Sequence, residues 1–234
     1  MILWIMLFLL VVAISFVLAY MSMKDYHYAP RISKDEYGLF LIRQTANLNT
    51  EALRSMSHQM LSEGLIISVE RLFKGPQAAL TIFGPRKILS KFMESLNLLE
   101  LEDYTEKLMT SHISVWEVGA RSLKDQGQAA GNIFEGLSKL GAEDQFFWQI
   151  ILGAKKGNEL TFQTQFRAAV YATDTIRKNQ LVEELQNLSF GSLVMIPKPF
   201  STDQMMEFFK ARSLGSDSSG PTLNAEGVIN LLKI

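Results

Sequence analysis

Few side chains in this sequence have the types and spacing that chemistry requires. The three histidines, His27, His58 and His112, stand far apart, and none has a second histidine or a carboxylate at metal-ligand spacing. Cysteine is absent, which excludes a disulfide framework, a cysteine zinc site and thiol catalysis. No G-x-x-x-x-G-K-S/T loop offers to wrap a nucleotide's phosphates, and no G-x-S-x-G elbow offers a serine nucleophile. The nearest approach to a ligand site is Phe83-Gly84-Pro85-Arg86-Lys87, where a strand meets a helix N-terminus carrying two cations, with Lys91 one turn on. Free N–H groups and the dipole of such a terminus attract an anion, so Arg86, Lys87 and Lys91 form a candidate anion site. Against it, Pro85 removes one donor, and Gly-Pro also serves turn geometry alone, which is the favoured reading. Glu100 and Glu102 share one face of a strand, with Asp103 next to them. A solvated sheet edge explains them more simply than an acid/base pair, and charge there also discourages strand-to-strand aggregation.

The composition narrows the function classes further. With 23 Lys+Arg against 24 Asp+Glu in 234 residues, the net charge of −1 argues against bulk electrostatic grip on nucleic acid, and 47% apolar content argues against general disorder. The aromatic residues Phe162 and Phe166 fall in the apolar register of their strand, and the pattern of an RNA-stacking sheet is absent, so they read as core, as do Trp116 and Trp148. No catalytic residue, cofactor or metal is expected, and no enzyme activity.

The charges are unevenly placed, since none occurs before Lys24. Residues 2–23 form an apolar run broken only by Ser15, Tyr20 and Ser22. A helix of that length spans about 33 Å, close to the ~30 Å of a bilayer's hydrocarbon core. Residues 1–23 therefore predict a transmembrane helix, with Ile2, Trp4, Phe8, Val12, Phe16 and Tyr20 along it and the rings of Trp4 and Tyr20 near its ends. A cleaved signal peptide fits less well, because a basic leading segment and a small-x-small cleavage pattern are both missing. Lys24, Arg31 and Lys34 follow the span while no cation precedes it, which places the body on the cytoplasmic side of the cell membrane.

The elements that would position a site begin after a short stalk, 24–36. Residues 37–43 suggest a strand, and Asn49 can cap a helix with the stripe Leu53, Met56 and Met60, closed by Gly64. Strands over 65–73 and 78–83 flank the turn Lys74-Gly75-Pro76, Gly84-Pro85 opens a helix carrying Ile88, Leu89, Phe92 and Leu96, and 99–102 closes as a strand. The order β-α-β-β-α-β is the split-βαβ, ferredoxin-like plan, assigned to 37–110. A bridging strand at 113–118 and a helix at about 132–140 lead into strands at 145–152 and 161–172. A helix capped by Asp174 carries Ile176, Leu181, Leu185 and Leu188, a strand follows at 192–196, and a last helix is opened by Ser201 with Gln204 and carries Met205, Phe208 and Phe209. This makes 111–214 a second, diverged α+β module with a different strand order. The expected class is thus α+β, a transmembrane helix followed by two ferredoxin-like modules. In the tail, 215–234, turn formers precede the apolar patch Val228, Ile229, Leu231 and Leu232, which either docks back on the sheet or binds a partner.

Four stretches carry a resemblance: Tyr37-Gly38-Leu39-Phe40-Leu41-Ile42-Arg43, Ile82-Phe83-Gly84-Pro85-Arg86-Lys87-Ile88-Leu89, Leu99-Glu100-Leu101-Glu102-Asp103-Tyr104 and Asp144-Gln145-Phe146-Phe147-Trp148-Gln149-Ile150-Ile151-Leu152. Together they resemble the membrane-associated N-terminal region of conjugative type IV secretion ATPases of candidate-phylum bacteria. The tail Leu223-Asn224-Ala225-Glu226-Gly227-Val228-Ile229-Asn230-Leu231 is similar to the link that leads into the motor of those proteins. The motor's catalytic motifs are not in this sequence, so no catalytic residue is carried over. The resemblance implies a single-pass, membrane-anchored, non-catalytic assembly or adaptor module of a type IV secretion or DNA-transfer apparatus. Its partners would be the membrane and a secretion ATPase supplied in trans. The alternatives are a membrane-bound enzyme or anion-binding protein using Arg86 and Lys87, and an extracytoplasmic anchored binding module.

Overall fold

The computed structural model describes residues 2–27, 36–63, 65–120, 140–155, 161–187, 193–196, 202–214 and 222–232. Residues 28–35 of the expected stalk at 24–36, Gly64, the bridging helix before 140, the turn residues 156–158, Leu188, Pro197-Lys198-Pro199, Ser201 and residues 215–221 of the expected tail lie outside them, while residues 24–27 of the stalk belong to a helix. The helix α1 (Ile2–His27) is followed by β1 (Tyr37–Ile42), α2 (Thr50–Glu63), β2 (Ile66–Lys74), β3 (Gln77–Pro85), α3 (Arg86–Leu89) and β4 (Leu98–Leu101). Then come β5 (Ile113–Ala120), β6 (Gln145–Lys155), β7 (Thr161–Tyr171), α4 (Thr175–Asn187), β8 (Leu193–Ile196), α5 (Thr202–Ala211), β9 (Thr222–Asn224) and α6 (Ala225–Leu232).

Local chemistry explains several boundaries. Asn49 caps α2 by accepting the Ala52 N–H on Oδ1 at 3.0 Å, and the stripe Leu53, Met56 and Met60 is fully buried. The hairpin between β2 and β3 closes on Gly75, whose φ of +52° is open to glycine at little cost. Asp174 caps α4 by accepting the Ile176 N–H at 2.9 Å. Ile176 itself is exposed, whereas Leu181 and Leu185 of the same expected stripe are buried. The helix expected after Gly84-Pro85 is only one turn long. A 3-10 turn over Ser90–Phe92 takes over from it, yet Ile88, Leu89, Phe92 and Leu96 are all buried as the spacing required.

The strands form one nine-stranded sheet in the order β4-β1-β3-β2-β6-β7-β5-β8, with β9 pairing to β7 beside this path. All pairings are antiparallel. Two expectations are corrected here. The two expected modules are replaced by a single sheet, because β2 and β6 pair directly from Ile66 opposite Gly153 to Lys74 opposite Gln145. The second half does not have a different strand order, since each half reads second, third, first, fourth outward from that seam. An unpaired strand edge invites pairing, and here each half satisfies the other's inner edge.

The membrane-spanning expectation for 1–23 is also corrected: among the described residues, no helix is long and apolar enough to cross a membrane. In α1 the described side chains are those of residues 4, 6–18 and 20. Among the residues expected to line the span, Trp4, Phe8, Val12, Phe16 and Tyr20 are all exposed, and Ile2 is part of α1.

The sheet buries both faces. One packs Val69, Ile82, Trp148, Ile150 and Phe166 against α2, α4 and α6. The other packs Ile113, Val115, Phe147 and Ala169 against Met205, Met206, Phe208 and Phe209 of α5.

Candidate functional site

The face under α5 carries a row of polar residues that the strand registers line up across the sheet. Thr81 pairs with Glu70, Glu70 with Gln149, Gln149 with Arg167, and Arg167 with Glu117. All five are fully buried. Buried polar groups must find partners within the protein, because each one left unmade costs about 1–3 kcal/mol. Most of those partners come from the C-terminal end of α5 and the residues just after it.

Helix ends leave carbonyl groups without intrahelical donors, and the sheet supplies donors to this one. Gln149 Nε2 donates to Phe209 O at 3.2 Å, and Arg167 Nη1 donates to Phe208 O at 2.9 Å. Arg167 Nη2 donates to Ser213 O at 2.6 Å and to Gln165 Oε1 at 3.0 Å. Arg212 follows α5 with φ +49°, the left-handed position at which helices commonly end. That conformation turns the chain so that its guanidinium meets two carboxylates. Arg212 Nε donates to Glu70 Oε1 at 2.7 Å, while Nη1 and Nη2 donate to Asp103 Oδ2 and Oδ1 at 2.7 and 3.0 Å. Its Cζ lies 4.1 Å from the Phe83 ring centroid, a cation–π contact. The Tyr104 hydroxyl donates to Glu70 Oε2 at 2.9 Å, and Gln149 Nε2 reaches the same hydroxyl at 3.4 Å. Tyr104 stacks on Phe147 at 4.9 Å, which holds the phenol in place.

The electrostatics follow from this enclosure. Burial works against the Arg212 charge, but Glu70, Tyr104 and Asp103 more than offset it, so its pKa is raised. Burial likewise pushes the Asp103 carboxyl up, and the hydrogen bonds and charge of Arg212, with the Thr105 N–H and hydroxyl, pull it below the usual value. Burial and the Glu70 charge raise the Tyr104 phenol well above its ordinary 10. Around Arg212 the cluster sets one guanidinium against the Glu70 and Asp103 carboxyl groups and the Tyr104 phenol, while Arg167 sits beside them in the same row. Its donors are directed at carbonyls and carboxylates of the same chain, an arrangement that fastens α5 to the sheet.

The residues singled out in the sequence sit elsewhere. Arg86 donates to Glu100 and to the Tyr37 carbonyl, and Lys87 and Lys91 lie exposed on the surface. With α3 only four residues long, the expected helix terminus is not built as an anion site. Glu102 is exposed and paired with Lys107 at 2.5 Å. Val228, Leu231 and Leu232 are buried in the main core, with Ile229 packed against it, so this patch docks on its own sheet and is not a free surface. His58 is exposed, and His112 packs its ring 5.9 Å from that of Tyr171. Among the described residues, no group of three or more histidines and carboxylates is placed to hold a metal.

Glu70, Gln149, Arg167 and Arg212 were not singled out in the sequence, and Asp103, read there as part of a solvated sheet edge, instead binds Arg212. The available signal was a charge flanked by apolar residues in two strands, Trp116-Glu117-Val118 and Phe166-Arg167-Ala168. No model of a known protein family matches the chain, and no curated protein is significantly similar to it.

Proposed function

We propose that the chain is a non-catalytic assembly module in which a rigid two-faced sheet carries α1 as the element that joins a partner. The observation that carries this reading is the surface of α1. Its described side chains are almost all apolar and all exposed, with Trp4 73%, Phe8 68% and Phe16 76% accessible. A helix that is apolar on every side is normally covered, and contiguous exposed apolar surface of this size marks an interaction site. The charged cluster of the core supports the same reading, because its groups are engaged with one another and with main-chain carbonyls. The resemblance to secretion ATPases makes a motor ATPase supplied by another chain the partner to seek.

Crosslinked affinity purification of the full chain, repeated with residues 2–27 deleted, tests this. Recovery of a protein partner that is lost with the deletion is expected, with a motor ATPase among the recovered chains if the resemblance holds. Equal recovery from both chains, or no partner from either, would overturn the proposal.

A further inference from the structure

Between the sheet and the residues that follow α5, Ser68 Oγ, Gln149 Oε1 and Ser213 Oγ are buried without a hydrogen-bond partner, each on a residue at most 2% exposed. A buried polar atom left in that state costs about 1–3 kcal/mol, and most such atoms in folded proteins are satisfied by protein or by an ordered water. The strand registers bring two of them together. Ser68 stands opposite Phe83 and Ile151, and Gln149 stands opposite Glu70, so Ser68 and Gln149 are diagonal neighbours on the same face of adjacent strands. Arg212 and Ser213 pass over the same part of the sheet. The Arg212 guanidinium lies over the Phe83 ring and holds Glu70, and the Ser213 carbonyl accepts from Arg167, the strand partner of Gln149. The Gln149 amide has one permitted orientation, because Phe209 O can only accept. That assigns the donor to Nε2 and leaves Oε1 as an acceptor in need of a donor.

Charge decides what fits there. Glu70 disfavours an anion, and Arg167 and Arg212 disfavour a cation, whereas a neutral molecule that both donates and accepts suits one amide oxygen and two hydroxyls. We infer that a single buried water bridges Ser68 Oγ, Gln149 Oε1 and Ser213 Oγ and so ties the chain after α5 to the sheet. About three hydrogen bonds is the usual complement of such a water. The site is independent of α1 and of the assembly reading. A crystal structure of the full chain should show one density peak within hydrogen-bond distance of all three atoms. Oxygen-17 relaxation dispersion counts long-lived internal waters in solution and is blind to hydroxyl protons. By that count the native chain should hold one more water than Ser68→Val, in which a methyl group takes the place of the hydroxyl. Ser213→Ala leaves the strands untouched and should lose the same water or exchange it faster. Direct hydrogen bonds among the three side chains with no density between them, or an identical dispersion from the native chain and both variants, would overturn the assignment.

Discussion

Arg212 combines two residue-scale demands at one position: a left-handed backbone and a charge that must be neutralised away from water. The substitution Arg212→Gly separates them, because glycine adopts φ +49° freely while the guanidinium is lost. Glu70 then remains buried without its cation, and breaking a buried pair in this way costs about 3–5 kcal/mol. Denaturant unfolding should show a loss of that size, whereas a change near zero would mean that the backbone conformation, not the ion cluster, holds α5. Asp103 adds a pH dependence whose sign follows from its lowered pKa. An acid with a lower pKa in the folded state contributes stability that is present above its unfolded value of about 3.9. That contribution is lost as pH falls through the folded value. Acid unfolding of Asp103→Asn should therefore start from lower stability at neutral pH and show a shallower decline below about pH 4 than the native chain. Parallel acid profiles would remove Asp103 from the cluster's energetics.

At the scale of elements, the segment 222–232 belongs to the fold. Leu223 pairs with Phe162 across β9 and β7, and α6 buries Val228, Leu231 and Leu232. Each large aliphatic side chain fully buried contributes about 1.5–3 kcal/mol, so deleting residues 222–234 should remove several kcal/mol. The expected outcome is a marginally folded or aggregating product in a thermal melt, and native stability of the truncated chain would contradict this placement. For the same reason α1 is the better target for deletion in a partner search. The helix exposes its described side chains, and its loss leaves the sheet's cores intact. α5 has an intermediate standing, with an apolar stripe that packs on the sheet like any amphipathic helix and a C-terminus read by polar sheet residues.

For the whole molecule, the seam between β2 and β6 decides how many folding units there are. The halves share a sheet, a core spanning both, and the ion cluster in which Arg212 from the second half meets Glu70 and Asp103 from the first. Neither half can open without stripping the other of paired backbone and buried charge. Equilibrium unfolding should therefore be a single transition, with amide exchange in β3 and β7 sharing one denaturant dependence. Two resolved transitions, or protection that differs between those strands, would restore the picture of independent modules.

The sequence by itself determined the elements whose signals are local. Periods of two and 3.6, the caps at Asn49 and Asp174 and the turn at Gly75 located most strands and helices to within a few residues, because short-range sterics and hydrogen bonds set them. Also legible was the core character of Phe162, Phe166 and Trp148, which follows from strand alternation. Only the tertiary structure decided the joining of two halves into one sheet, the docking of α6 and the polar row beneath α5. Those depend on which edges and faces meet across long separations, and Glu70 and Arg212 lie 142 positions apart in the chain. A charge in a strand reads as solvent-facing until an element from elsewhere covers it. For Glu70, Gln149 and Arg167, the covering element is the end of α5.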